Sequence, residues 1–162
     1  TASSYIPTTG TSATRAADVA YVDVATWLPA LSRTNCTFYA EVIAAAAAGS
    51  ERILGTNDSG YSLIDINNST SVGSWDGSNY ATAGSVALVG SARKLAVAMG
   101  AGSRVVACAG STGTAASNNL PAPTRIYIGS EGAVGNFFRG TYLGARVYYG
   151  AQSAGQIATL TT

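Results

Sequence analysis

The densest run of chemistry-bearing side chains is Ser74-Trp75-Asp76-Gly77-Ser78-Asn79-Tyr80, where two aromatics flank a carboxylate, an amide and a hydroxyl in a glycine-containing turn. Sugars present apolar C–H faces ringed by hydroxyls. An aromatic plane with Asn, Asp and backbone groups beside it is the chemistry that grips them. On this reading Trp75, Asp76, Asn79 and Tyr80 form a candidate glycan site. Asn57, Asp58 and Tyr61 join it if consecutive hairpins lie side by side, and Asn136, ahead of Phe137-Phe138, is a further candidate. The competing reading is that Trp75 and Tyr80 close the core at a hairpin end whose turn is Asp76-Gly77. Trp27, beside Leu28 and Pro29, has no polar company and reads as core packing. In Tyr148-Tyr149 strand alternation sends one ring inward and one outward.

Other chemistry is limited by residue type. The chain has no histidine, so Ser–His and Cys–His nucleophile pairs, the usual zinc-hydrolase ligands and a histidine pH switch are excluded. Glycoside hydrolysis needs a pair of carboxylates. Asp65, in Leu63-Ile64-Asp65-Ile66-Asn67, has no second acid two or four positions away, and the sequence reads as that of a non-enzyme. No cofactor is expected. Calcium at a loop rim is the one metal worth weighing, but Asn57-Asp58-Ser59-Gly60 and Asp76-Gly77 offer few of the six to eight oxygens it takes, and turn-forming Asx residues account for both segments. Cys36 and Cys108 lie in apolar runs and read as two buried small hydrophobes, with a bridge between neighbouring strands as the alternative.

The elements that would position these residues read as strands. Thr37–Ile43, Tyr61–Ile66, Lys94–Met99, Arg104–Ala109, Thr124–Ile128 and a long run from Phe137 to Tyr149 are β-branched, aromatic or alternating, and Leu95, Val97 and Met99 share one face. Segments 57–60, 76–79, 110–113 and 118–121 break them with Gly, Asn, Asp and Pro, and Gly100–Ser103 reads as a hairpin loop. The alanine run 44–48 reads as the crowded end of a strand, with a two-turn helix as the alternative. Ser153 is a fitting N-cap for one short helix to Leu160. Many short strands with polar turns imply an all-β sandwich.

With 162 residues this is a single-domain length. Nine basic and eight acidic side chains give a net charge of +1. Without a basic cluster the chain lacks the electrostatic footprint of nucleic-acid binding, and it has no apolar run long enough to span a bilayer as a helix. Ala, Gly, Ser and Thr fill more than half of the chain, so strands can stack closely, and only 10% of residues are charged. A surface so poor in charge is weakly protected against association, which points to a covered, assembled state.

The two ends carry a family resemblance. Ala2 to Val19, A-S-S-Y-I-P-T-T-G-T-S-A-T-R-A-A-D-V, resembles the opening of the concanavalin A-like (laminin-G-like) jelly-roll modules of phage tail-fibre and related virion proteins. Arg139-Gly140, Ala145-Arg146-Val147-Tyr148, Ala151-Gln152-Ser153 and Gln156-Ile157 resemble that family's final strand and Ser-capped helix. Arg93 to Ala109 matches its hairpin in spacing, with Cys108 and Ala109 in place of Asn-Gly.

The resemblance implies a two-sheet antiparallel jelly-roll sandwich over 21–162 with one short C-terminal helix. Residues 1–20 would be a linker and first strand continuing from an upstream module, so that residue 1 is not the start of the gene product. It implies a place on the virion surface, on a tail fibre or the capsid exterior. The partners would be other virion proteins, further copies of the chain (a trimer foremost) and host-surface glycan. A purely structural capsid-decorating or fibre-assembly module and a carbohydrate-binding module of a secreted bacterial enzyme are the alternatives.

Overall fold

Residues 20–46, 51–56, 61–84, 87–130 and 136–162 are described by the structure, a computed structural model. The expected linker over 1–20 and the motif Ala2–Val19 lie outside these residues, except for Ala20, which opens the first strand. Among the described residues eleven strands form two sheets, and every ladder is antiparallel. The front sheet runs in the order β1 (Ala20–Asp23), β10 (Arg125–Ile128), β3 (Glu51–Thr56), β4 (Ser62–Asn68), β5 (Ser71–Trp75) and β6 (Tyr80–Ala83). The back sheet runs β11 (Gly140–Tyr148), β2 (Cys36–Ala44), β7 (Ala92–Gly100), β8 (Ser103–Cys108) and β9 (Ser111–Ala115).

Alternation builds the core. Phe38, Ala40 and Val42 of β2, Leu95, Val97 and Met99 of β7, and Val106 and Cys108 of β8 meet Ile53, Leu63, Val72 and Ala81 of the front sheet in one cluster. The opposite face of β7 and β8 carries Ala96, Ala98 and Ala107, and on these small residues lies α2 (Ala154–Leu160), which inserts Ile157. Ser153 caps α2 as expected. Its hydroxyl accepts from the Gln156 N–H, while the Gln156 side chain accepts from the Ser153 N–H at 2.8 Å.

Several expectations change. A short helical turn, α1 (Val24–Trp27), follows β1, with the Asp23 carboxylate accepting from the Thr26 N–H. It turns Trp27 outward, 72% exposed, so Trp27 is not core packing. The alanine run ends β2 at Ala44, and residues 47 and 48 lie outside those described. The break over 110–113 shrinks to Ala109 and Gly110, both with positive φ (48° and 76°), and Ser111 already begins β9. Cys36 pairs in register with Met99 and Cys108 with Leu95, so β7 stands between the two thiols and they are free. A bridge is thereby ruled out. Burial pushes Cys36 up to about 12 and Cys108, against a small opposing effect of Arg93, to about 11.

The two long edges of the sandwich differ. At β6 and β9 the backbones touch, and a Cβ on Gly113 would fall 1.7 Å from the Thr82 carbonyl oxygen. At β1 and β11 the sheets stand apart around a cavity of about 450 Å³ walled by Val22, Phe38, Leu54, Ile126 and Val147.

Candidate functional site

The β5–β6 hairpin places the aromatic residues. Val72 and Ala81 face the core, so Gly73, Trp75, Tyr80 and Thr82 take the outer face of the front sheet. Trp75 and Tyr80 are directly opposed in register. Their ring centroids lie 4.8 Å apart, tilted by 35°. Trp75 is half-buried and Tyr80 is 37% exposed. Gly73 lets the Tyr80 ring lie down on the sheet, since a Cβ there would meet Asp65 Oδ1 at 2.8 Å and the Tyr80 ring at 3.0 Å.

The Tyr80 hydroxyl donates to Asp65 Oδ2 at 3.2 Å. That oxygen also accepts from Ser62 Oγ at 2.8 Å and pairs with Arg52 Nη1 at 2.5 Å, both charged groups being buried. Burial and then the Asp65 charge raise the Tyr80 hydroxyl above its ordinary pKa. The ring is thus tethered at its far end while the residue stays 37% exposed.

The turn between the aromatics is held from inside. Asp76, only 1% exposed, accepts on Oδ1 from the N–H groups of Ser78 (3.0 Å) and Asn79 (2.7 Å), and on Oδ2 from Asn119 N–H (3.1 Å). Arg104 reaches it across the sandwich from β8, with Nη1 2.6 Å from Asp76 Oδ2. Its Nη2 donates to the carbonyls of Asn79 (2.6 Å) and Ser74 (3.2 Å). Burial alone would raise the Asp76 pKa. The N–H donors of Asn79, Asn119 and Ser78 outweigh it and hold the carboxyl well below the usual range. Asp76 therefore belongs to the frame of the turn and offers no free oxygen to a ligand, which corrects the sequence expectation. Gly77, at φ +87°, closes the turn where a Cβ would meet the Tyr61 ring at 2.9 Å.

Of the other candidates, Tyr61 does reach the hairpin, but from beneath, packed against the core. Asn79 and Ser78 are exposed beside Tyr80. Asn136 does not join them. At φ +53° its carbonyl accepts from Arg52 N–H (2.8 Å) on the β10 side of β3, with β3 and β4 between it and the aromatic pair. Asn57 and Asp58 lie outside the described residues. Among the described residues no group of three or more Cys, Asp or Glu side chains is gathered as a metal centre.

Sequence reading missed Ser62, Arg52 and Asn119 and gave Asp65 and Arg104 no place in the site. The signal for Arg104 was present: Val106 and Cys108 face inward, and period two puts Arg104 on that same face.

No family model and no curated protein sequence matches the chain. Solved structures do resemble it. The Ruminococcus gnavus IT-sialidase CBM40 bound to alpha2,3 sialyllactose superimposes with a TM-score of 0.64 at 13% identity, covering 80% of this chain and 85% of that one. A heptameric SAP-like pentraxin from Limulus polyphemus gives 0.59 at 14% identity, over 79% and 70% of the two chains. The Trypanosoma rangeli sialidase in complex with the inhibitor DANA gives 0.58 at 21% identity, with 79% of this chain matched to 22% of that one. Together with the sheet order these likenesses show the fold: a two-sheet antiparallel jelly-roll sandwich with a short C-terminal helix.

Proposed function

We propose that this domain is a non-enzymatic, lectin-like module that binds glycan on the outer face of the β5–β6 hairpin. The observation that carries the reading is the Trp75–Tyr80 pair, two rings held in contact with Tyr80 exposed and with Ser78 and Asn79 beside it. The likeness to a carbohydrate-binding module supports it at the level of fold. Two carboxylates near the pair, Asp65 and Asp76, are each bound to an arginine, an arrangement suited to holding structure and not to acid–base work on a glycosidic bond. The setting we propose is the virion surface implied by Ala2–Val19.

The test is glycan-array screening of the whole chain followed by titration of Trp75→Ala, with melting to verify the fold. Removing the stacking plane should weaken binding at least about tenfold, a loss of about 1.4 kcal/mol or more. A folded variant with unchanged affinity would refute the site.

One observation favours a second role, in assembly. Tyr149 (58% exposed) lines the apolar cavity at the β1/β11 edge, Leu143 (52%) is exposed on β11, and among the described residues no strand pairs with the outer side of the nine-residue β11. On this reading copies of the chain associate through that edge, toward the trimer implied by the fibre resemblance, with other virion proteins covering what is left.

A further inference from the structure

We infer that the Trp75–Tyr80 site takes uncharged sugars and discriminates against glycans whose contacting residue carries a carboxylate, such as sialic acid or a uronate. This rests on the glycan reading above and names its ligand class. The ground is the disposition of cations. A carboxylate leaving water for an aromatic surface loses its hydration, and that loss is made good only by a cationic or multiple N–H partner. Every Lys and Arg of the chain except Arg15 is among the described residues.

Two arginines approach the site, and both are consumed internally. Arg52 is bound to Asp65 beneath Tyr80, and Arg104 to Asp76 beneath the turn, and both pairs are shut off from solvent. Arg125 is on the same outer face but lies over the Tyr21 ring, 4.4 Å from its centroid, on β10. Three strand spacings separate β10 from β5, roughly 14 Å. Arg33 donates to the Leu120 carbonyl, and Arg139 pairs with Glu51 at the start of β3. Arg93, Lys94 and Arg146 stand on the back sheet. The described side chains left around the rings, Ser78, Asn79 and Thr82, are exposed and uncharged. Hydroxyls and an amide beside stacked rings complement a neutral pyranose, which both donates and accepts at every hydroxyl.

An array of matched neutral and sialylated glycans, differing only in the terminal residue, tests the inference on the whole chain. Wild type should bind a neutral member at least about tenfold more tightly than its sialylated partner. That affinity should hold between about 0.05 and 0.5 M salt, because no ion pair is being screened. Thr82→Arg, on the exposed face beside the rings, should raise affinity for the sialylated partner several-fold at low salt and leave the neutral one little changed. Equal or tighter binding of sialylated members, lost in Trp75→Ala, would overturn the neutral preference while leaving the glycan site intact. Absence of binding to every glycan would instead bring down the glycan reading and this inference with it.

Discussion

Arg104 and Asp76 form an ion pair 2.6 Å long and closed to solvent, joining β8 of the back sheet to the β5–β6 turn of the front one. Removing one partner from such a pair strands a buried charge, at a cost of about 3–5 kcal/mol. Arg104→Met should therefore lose that much in urea unfolding. The double variant Arg104→Met/Asp76→Asn should recover a good part of the loss, because Asn keeps an oxygen for the Ser78 and Asn79 N–H groups and leaves no charge unpaired. The same carboxyl predicts acid behaviour. Its folded pKa lies below its ordinary value, so it contributes stability above that value and the contribution is lost as pH falls through the folded pKa. Wild type should lose stability progressively below about pH 4. Asp76→Asn, whose side chain does not titrate, should show a shallower decline in the same denaturation series.

At the scale of elements, the sandwich is closed by backbone contact between β6 and β9, which no side chain could mediate. Gly113→Ala would put a methyl 1.7 Å from the Thr82 oxygen. Both atoms belong to laddered strands, so neither can yield cheaply. A loss of about 3 kcal/mol in equilibrium unfolding is expected, at the upper end of ordinary overpacking. Because Thr82 sits in β6, glycan affinity should fall with it. This contact also marks what could be read from sequence. β2, β4, β7 and β10 were legible because their runs are β-branched, aromatic or alternating, and α2 because Ser153 suits an N-cap and Ile157 and Leu160 stand three apart on one face. β9, Ser-Thr-Gly-Thr-Ala, has no apolar rhythm, and the loop expected across its first half was a fair reading of composition. Trp27 and Asp76 exchanged their expected environments for one reason: local polarity does not fix burial. An arginine 28 residues downstream draws Asp76 inward, and the four-residue turn after β1 carries Trp27 out.

Among the described residues of the whole molecule, one edge is sealed by backbone contact and the other has no strand against it. The low charge of the chain has its consequence at the second. β11 carries Arg146 as its only charged side chain, contains no proline, and exposes Leu143 where the register with β2 shifts between Tyr142 and Gly144. Natural edge strands are usually guarded by lysine, proline or a covering segment, and an unguarded apolar edge pairs with whatever strand meets it. Leu143→Lys places a charge at the middle of that edge without touching the core, since Leu143 is half-exposed and the cavity wall is formed by Ala145 and Val147 on the same strand. Wild type should therefore associate with rising concentration in sedimentation equilibrium, and Leu143→Lys should shift the chain toward monomer with an unchanged melting temperature. Glycan affinity should stay the same, because β11 belongs to the back sheet and the Trp75–Tyr80 pair to the outer face of the front one. A wild type that stays monomeric at millimolar concentration would refute the assembly role. Loss of glycan binding in Leu143→Lys would show that the two surfaces are coupled, against the separation that their places in the sandwich require.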